Sequence, residues 1–462
     1  MPSYSPWSSC WSCSTRTPMT FLLALIGILI MAVGIAVSIA LHEFGHLVPA
    51  KLFNVRVSQY MIGFGKTLWS TKRGETEYGI KAIPLGGYVS MIGMLPPNTP
   101  GKQPSKARRQ YFQTVAHQAR ADAAAELTEA DHGRTFISLP VWKRIIIMLG
   151  GPFMNLVIAF IVTAILVTSV GVATPTTQVH DVFECMTETT DADALDAACG
   201  PEDEASPAWE AGLRPGDEIT HFNHQPVQTW DELSAAIRQR ADTQTAITYV
   251  RDGEVVNDTI TPVLTQRPVL DRFDQPVTDS TGEVETEPVG FIGMSSLVEN
   301  QQQPATAAFS VLGEQISGTF SVITVLPVKL WETAQVLLTD GERDPTGPVS
   351  VVGVGRIAGE AAAQHDIPIT DRAAMLLSLI AGLNVALMVF NLIPLLPLDG
   401  GHVIGALWES IRRGWAKLRG KPDPGPFDIA KMFPLTIIVF GLLLSMGVLL
   451  ILADLIKPVT LF

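Results

Sequence analysis

Two histidines and a glutamate stand in residues 40–51, ALHEFGHLVPAK, at the spacing His42-Glu43-x-x-His46. Residues four apart on a helix project from one face about a turn apart, so the two imidazoles can converge on one zinc ion. A glutamate beside the first can then hold and deprotonate an attacking water. The motif closes the apolar run FLLALIGILIMAVGIAVSIAL at 21–41, and ionisable groups at membrane depth mark function by default. The bland alternative is a pair of interfacial histidines with a snorkelling glutamate, and a third ligand decides between the two. One is available at the end of another apolar run, MLLSLIAGLNVALMVFNLIPLLPLDGGHV. There Asn384 and Asn391 lie two helical turns apart, Pro394 and Pro397 break the helix, and Asp399 follows. Asn384 reads equally well as helix–helix glue. Asp399 completes a set of two histidines and one aspartate, with a position left open for water.

The elements that must carry these residues are membrane helices. The chain of 462 residues has a mean hydropathy of +0.27 yet a net charge of −13, and the two properties belong to different segments. Apolar runs occupy 21–41, about 145–173, about 374–398 and 433–453. The first would rise about 31 Å as a helix, enough to cross a bilayer. It is too long for a signal peptide, and no small-residue cleavage site follows it. Between the runs, residues 51–144 hold 14 Lys and Arg against 6 Asp and Glu, 174–373 hold 10 against 33, and 400–432 hold 6 against 3. Short basic loops stay cytoplasmic. The expected topology therefore has both termini outside, 51–144 and 400–432 inside, and 174–373 outside. This brings the ends of the first and third spans, with His46 and Asp399, to the cytoplasmic side of a cell membrane.

Residues 1–18 are polar and Ser-rich, and read as a disordered tail or a stretch upstream of a start at Met19; Cys10 and Cys13 make only a weak C-x-x-C signal there. The first span takes 19–50. In the inner loop, 51–142, β-favouring runs around Gly63-Phe64-Gly65 are broken at Lys72-Arg73-Gly74 and Gly86-Gly87, which predicts a hairpin near the membrane surface. An Ala- and charge-rich stretch at 102–131 predicts a solvated helix. The second span is 143–173. Residues 174–289 hold turn signals at 212–217 and 252–253, an amphipathic helix at 230–240 and flanking strands, a pattern similar to a PDZ domain, followed by a polar linker. Cys185 and Cys199, 14 residues apart on the oxidising side, predict a disulfide. Within 290–373, residues 305–338 are too polar to span and suggest a pair of interfacial amphipathic helices. The third span, an inner loop and the fourth span occupy 374–399, 400–432 and 433–456. The fold class expected is a polytopic α-helical membrane protein with about four transmembrane helices, a cytoplasmic membrane-associated β-hairpin and an extracytoplasmic PDZ-like domain.

HExxH ending the first span, GGPFMN in the second, an outer PDZ-like domain and NLIPLLPLDGG ending the third together resemble the site-2 protease family of intramembrane zinc metalloproteases. Within it the likeness is to the bacterial regulator of sigma-E protease and its actinobacterial relatives, over roughly residues 19–457. The resemblance implies Zn2+ held by His42, His46 and Asp399, with Glu43 as general base. It places Gly151, Pro152 and Asn155 near the catalytic cluster and Asn391 beside it, holding substrate backbone or the oxyanion. It makes the sheet with Gly63, Phe64 and Gly65 a platform on which substrate adds as a strand, and the outer domain a size filter. The insertion at about 98–134 and the first 18 residues depart from the family pattern.

Physics points the same way, because a transmembrane helix must be unwound before it is cut and its freed backbone needs substitute partners. The breaks at Pro394 and Pro397 and a strand edge offer them. The partners expected are the lipid bilayer and the transmembrane segment of a single-pass protein, an anti-sigma factor already trimmed outside or a signal-peptide remnant; no nucleic acid is expected. Two other readings compete. A membrane-anchored zinc peptidase for soluble peptides would need its third ligand in a water-soluble domain. A PDZ scaffold with a structural or vestigial zinc site would have no use for Glu43.

Overall fold

The computed structural model describes residues 18–95, 131–186, 203–269, 284–339, 347–365 and 367–459, with scattered positions between them (118, 120, 121, 125, 127, 128, 199, 341, 343 and 344). The tail with Cys10 and Cys13 and most of the insertion at 98–134 lie outside the described residues. The chain divides into two compact units, one formed by 1–166 with 304–462 and the other by 167–303.

The first unit is built on helices: α1 (Pro18–Leu52), α2 (Val141–Ser169), α5 (Ala308–Leu338), α6 (Val351–Ala363), α7 (Ile369–Asn391), α8 (Asp399–Leu418) and α9 (Phe433–Ile456). Five of them, α1, α2, α5, α7 and α9, are long and apolar enough to cross a membrane, so the chain is a multi-pass membrane protein. Many of their leucine, isoleucine and valine side chains are exposed, as a lipid solvent allows. The helices cross where side chains are smallest: a methyl group on Gly45 of α1 or Gly150 of α2 would fall about 2 Å from the other's carbonyl oxygen (2.1 and 2.0 Å). α1 and α7 lie alongside each other, with Asn384 Nδ2 donating to Ser38 Oγ at 2.9 Å and to Ile380 O at 2.8 Å. Asn384 is thus helix glue. It is fully buried, with its Nδ2 paired and its Oδ1 without a partner.

The stretch 305–338 corrects the expected pair of short helices. It forms a single helix, α5, with Pro327 inside it. The charges are few enough, at Glu314, Lys329 and Glu332, to leave one apolar window of spanning length. The proline forfeits one backbone hydrogen bond, and the helix continues on both sides of it.

After α1, strands β1 (Val57–Arg73) and β2 (Thr76–Met91) pair, but not as a simple hairpin. Each bends, and residues 59–62 pair with 87–90 on one side and with 77–80 on the other, while 67–73 pair with 76–81. The result is a sheet of four arms with 87–91 at one edge. Gly63 and Gly65, at φ +92° and +84°, lie in the bend. Its inner end is seated on buried Leu47, Val55, Val57, Phe136 and Ile147.

The second unit holds β3 (Val172–Val182), α3 (Pro207–Glu210), β4 (Glu218–Phe222), β5 (Gln225–Pro226), α4 (Trp230–Arg238), β6 (Thr245–Arg251), β7 (Glu254–Ile260), β8 (Val263–Pro268), β9 (Thr286–Phe291) and β10 (Met294–Gln301). One sheet runs β10-β3-β4-β6-β7 with β5 on β4, and β8 pairs with β9 separately. Phe222, Ile219, Leu233 and Ile247 centre its core. Thr229 caps α4 by accepting from the Glu232 backbone N–H. β9 and β10 belong to this unit, so a domain boundary at 289 cuts through it; the polar linker interrupts the domain because strand pairing of β10 with β3 is non-local. Cys185 and Cys199 are joined by a disulfide, Cα atoms 5.9 Å apart.

Candidate metal centre

The apolar helix α1 continues through HEFGH to Leu52, so His42 and His46 fall on one face, a turn apart. α7 ends at Asn391, the chain turns through 392–398 with Pro394 and Pro397, and Asp399 opens α8. This turn delivers the carboxylate to the histidines. His42 Nε2 and His46 Nε2 are 3.3 Å apart, and Asp399 Oδ2 lies 3.3 Å from the first and 3.4 Å from the second. Three donors on a tetrahedral zinc with bonds of about 2.0–2.1 Å are themselves about 3.3–3.5 Å apart. The triangle has the size of one face of that tetrahedron, and the three residues form a group that could hold a metal ion.

Both rings have their metal-facing nitrogens fixed from behind. His46 Nδ1–H donates to the Ile147 carbonyl at 2.7 Å, which leaves Nε2 with a free lone pair in the neutral ring. The Asn155 amide sits 3.1 Å from His42 Nδ1, and its Oδ1 is buried without a partner. The two amide orientations have the same shape, and turning Oδ1 toward the ring lets His42 Nδ1–H donate to it. Two lone pairs and a carboxylate then point at one spot. Asp399 Oδ2 is itself buried with no hydrogen-bond donor, an arrangement that a cation satisfies. Gly151 keeps the spot clear: a Cβ there would lie 2.3 Å from His46 Nε2 and 2.7 Å from His42 Nε2.

Glu43 follows His42 on α1 and faces the sheet. A Cβ on Gly87 would come within 2.9 Å of Glu43 Cγ, so the edge arm of β2 passes over this carboxylate. Tyr60 ties the sheet to the helix by donating to the Ala40 carbonyl at 2.7 Å.

The sequence profile of Peptidase family M50 matches residues 30–422. The chain belongs to this family, whose members are site-2 protease type metalloendopeptidases. It is 31% identical over 446 residues to the zinc metalloprotease Rip1 of Mycobacterium tuberculosis strain H37Rv, covering 94% of this chain and 98% of the relative. Rip1 of Mycolicibacterium smegmatis is 32% identical over 453 residues (95% and 99%), and the metalloprotease MmpA of Caulobacter vibrioides 25% over 408 (84% and 89%).

The other residues singled out in the sequence fall around this centre unevenly. Asn391 is the last residue of α7, and Pro394 and Pro397 lie in the turn before Asp399. Gly63, Phe64 and Gly65 lie at the bend of the four-armed sheet, with Phe64 45% exposed and paired with Ile83. Sequence reasoning missed the Ile147 carbonyl, because a main-chain acceptor leaves no residue-type signal. It also missed Glu409 of α8, fully buried in an ion pair with Arg144 of α2 and accepting from the Phe427 N–H at 2.8 Å. Its signal was available: it is the lone acid between Asp399 and Asp423, within WESIRRGW.

Proposed function

We propose that this chain is a zinc-dependent intramembrane protease that hydrolyses a peptide bond in or near the transmembrane segment of a single-pass membrane protein. The observation that carries this reading is the tetrahedral-sized donor triangle of His42, His46 and Asp399 set between apolar helices, with Glu43 beneath a strand edge. His42, His46 and Asp399 would hold Zn2+, which when bound would supply Lewis acidity toward water and the scissile carbonyl. Substrate unwound at the turn 392–398 adds as a strand beside residues 87–91, its freed N–H and C=O groups paired by the sheet. Asn391, Pro394 and Pro397 line its path, and Gly63, Phe64 and Gly65 shape the sheet that receives it. Glu43 takes one proton from the attacking water. As the C–N bond breaks, that proton passes to the departing nitrogen and the second water proton follows, so water and one peptide bond become a carboxylate end and an ammonium end. A pre-trimmed anti-sigma factor is the substrate class favoured, with signal-peptide remnants second.

The helix ends support four crossings. His46 and Asp399 meet at the C-terminal ends of α1 and α7, so these run in the same direction and α2 runs back between them. The chain leaving α2 and the chain entering α7 then lie on one side. α5 and the 13-residue α6 join those two points. In addition, Asp454 near the end of α9 pairs with Arg343 and accepts from the N–H of Ser350 at 2.7 Å, which holds the far end of α5 at the same surface. With the basic loops inside, α1, α2, α7 and α9 cross and the PDZ-like unit is extracytoplasmic.

The test is Glu43→Gln in the full-length protein with a transmembrane substrate. Zinc content should match the parent, and cleavage should fall at least about 10²–10⁴-fold. Undiminished cleavage by that variant refutes the mechanism.

A further inference from the structure

Helix α8 differs from the spanning helices in being two-sided. Counting 3.6 residues per turn, Ile404, Leu407, Trp408, Ile411, Trp415 and Leu418 fall within an arc of about 100°. All are exposed, from 42% at Leu407 to 84% at Leu418. On the opposite side Gly405, Ala406 and Glu409 are buried. The rotation of the helix about its axis is not free, because Glu409 is locked to Arg144 and to the Phe427 N–H. The apolar arc is therefore held outward.

Charge is gathered at one end of this arc. Arg412 donates to the carbonyls of Pro424 and Gly425, and Arg413 pairs with Glu409 and Asp423. Asp428 is taken by Arg120 and Lys431. That leaves Lys417, Arg419 and Lys421, which are exposed and make no ion pair among the described residues. The Arg419 guanidinium lies over Trp415, 4.4 Å from the ring centroid. α8 also sits between two apolar helices of spanning length, seven residues after α7 and fourteen before α9. An exposed apolar arc with two tryptophans, bordered by unpaired cations and bracketed by membrane spans, has the composition of a helix lying in a bilayer interface.

We propose that α8 lies in the interface plane, its apolar arc among the upper acyl chains, and that Lys417, Arg419 and Lys421 bind the headgroups of anionic phospholipid. The occupant of this face is the lipid layer, because the cations need anions and a second copy would bring the same cations against them. The inference rests on α7 and α9 being membrane helices and is independent of the metal and of proteolysis. The first residue of the anchored helix is Asp399, so the anchor acts on the segment that carries the third ligand.

The experiment uses the full-length protein in lipid nanodiscs. Tryptophan emission is compared between the parent and a Trp408→Phe/Trp415→Phe variant, with and without phosphatidylcholine brominated on the upper acyl chain. The emission lost in the variant should be the quenchable part. Retention of phosphatidylglycerol over phosphatidylcholine is then measured by native mass spectrometry for the parent and for Lys417→Gln/Arg419→Gln/Lys421→Gln. Each cation near an anionic surface contributes roughly fivefold, so the preference should fall on the order of 10²-fold. Zinc content serves as the folding control, since all three side chains are exposed. The proposal is overturned if emission from the two tryptophans is untouched by bromine, if the triple variant keeps the parent's lipid preference, or if a cysteine at Ile411 cross-links two copies in dilute nanodiscs.

Discussion

Three donor atoms at edges of 3.3, 3.3 and 3.4 Å are a narrow tolerance, and single side chains should break it in distinguishable ways. Asp399→Ala removes a donor and should cut zinc content of the purified protein sharply. Asn384→Ala leaves the donors in place and removes a buried hydrogen bond to Ser38, at a cost of about 0.5–1.5 kcal/mol. It should keep its zinc while melting lower; equal zinc in Asp399→Ala and the parent would identify a wrong third ligand. Gly151→Ala puts a methyl within 2.3 Å of His46 Nε2. It should lose metal although no ligand is changed, which metal analysis of the same preparation reads directly. HExxH and the aspartate were legible because their chemistry lies in residue types and spacing. Gly151 and Asn155 could be placed only through a family resemblance, since a glycine that leaves space beside two imidazoles looks like any other glycine.

At the scale of the elements, α8 is tied to α2 by a buried ion pair. Glu409 is buried against Arg144. Burial alone would raise its carboxyl, but the hydrogen bond from Arg144, the Phe427 N–H and the charges of Arg144 and Arg413 outweigh it and hold the group below its ordinary range. A carboxyl lowered by folding contributes stability that is complete above its unfolded value and lost as pH falls through the folded one. Stability of the parent should therefore drop on acidification below the ordinary carboxylate range, and Glu409→Gln should lack that part of the profile. Glu409→Ala leaves Arg144 buried and unpaired, at a cost of about 3–5 kcal/mol, measurable by thermal unfolding in detergent. The sheet supplies a second test at this scale. Gly87→Val drives a branched side chain into Glu43 and should abolish cleavage with zinc retained, whereas loss of zinc would mean that the edge arm props the metal centre itself. The strands were readable from composition, but not their bend into four arms. That pairing joins residues such as Gln59 to both Glu77 and Ser90, and a local pattern cannot encode two partners.

For the molecule as a whole, the second unit enters and leaves through adjacent chain ends. Val172 pairs with Gln301, and the Gln303 N–H donates to the Val167 carbonyl at 3.0 Å. Excising about 171–302 with a short linker should therefore leave the helical unit folded and zinc-bound. On the size-filter reading, that variant should cleave a pre-trimmed substrate as the parent does and should gain cleavage of the untrimmed one. If it binds zinc and still spares untrimmed substrate, the unit has another task, such as recruiting a partner. Sidedness has its own readout: if 174–373 faces an oxidising compartment, intact cells should yield Cys185 linked to Cys199 in peptide mass spectra.

The sequence by itself determined that this is a membrane protein with a two-histidine, one-aspartate donor set. Hydropathy and ligand spacing are local properties, and residue types alone carry them. The charge count gave the expected sidedness in the same way, as a sum over loops. Only the tertiary structure decided that α5 is one helix, that α1 and α2 cross at Gly45 and Gly150, and that Glu409 is locked to Arg144. Each of these is settled by a partner remote in the chain. A proline inside an apolar helix, a glycine at a crossing and an acid among arginines have no fixed meaning until the surface they meet is known.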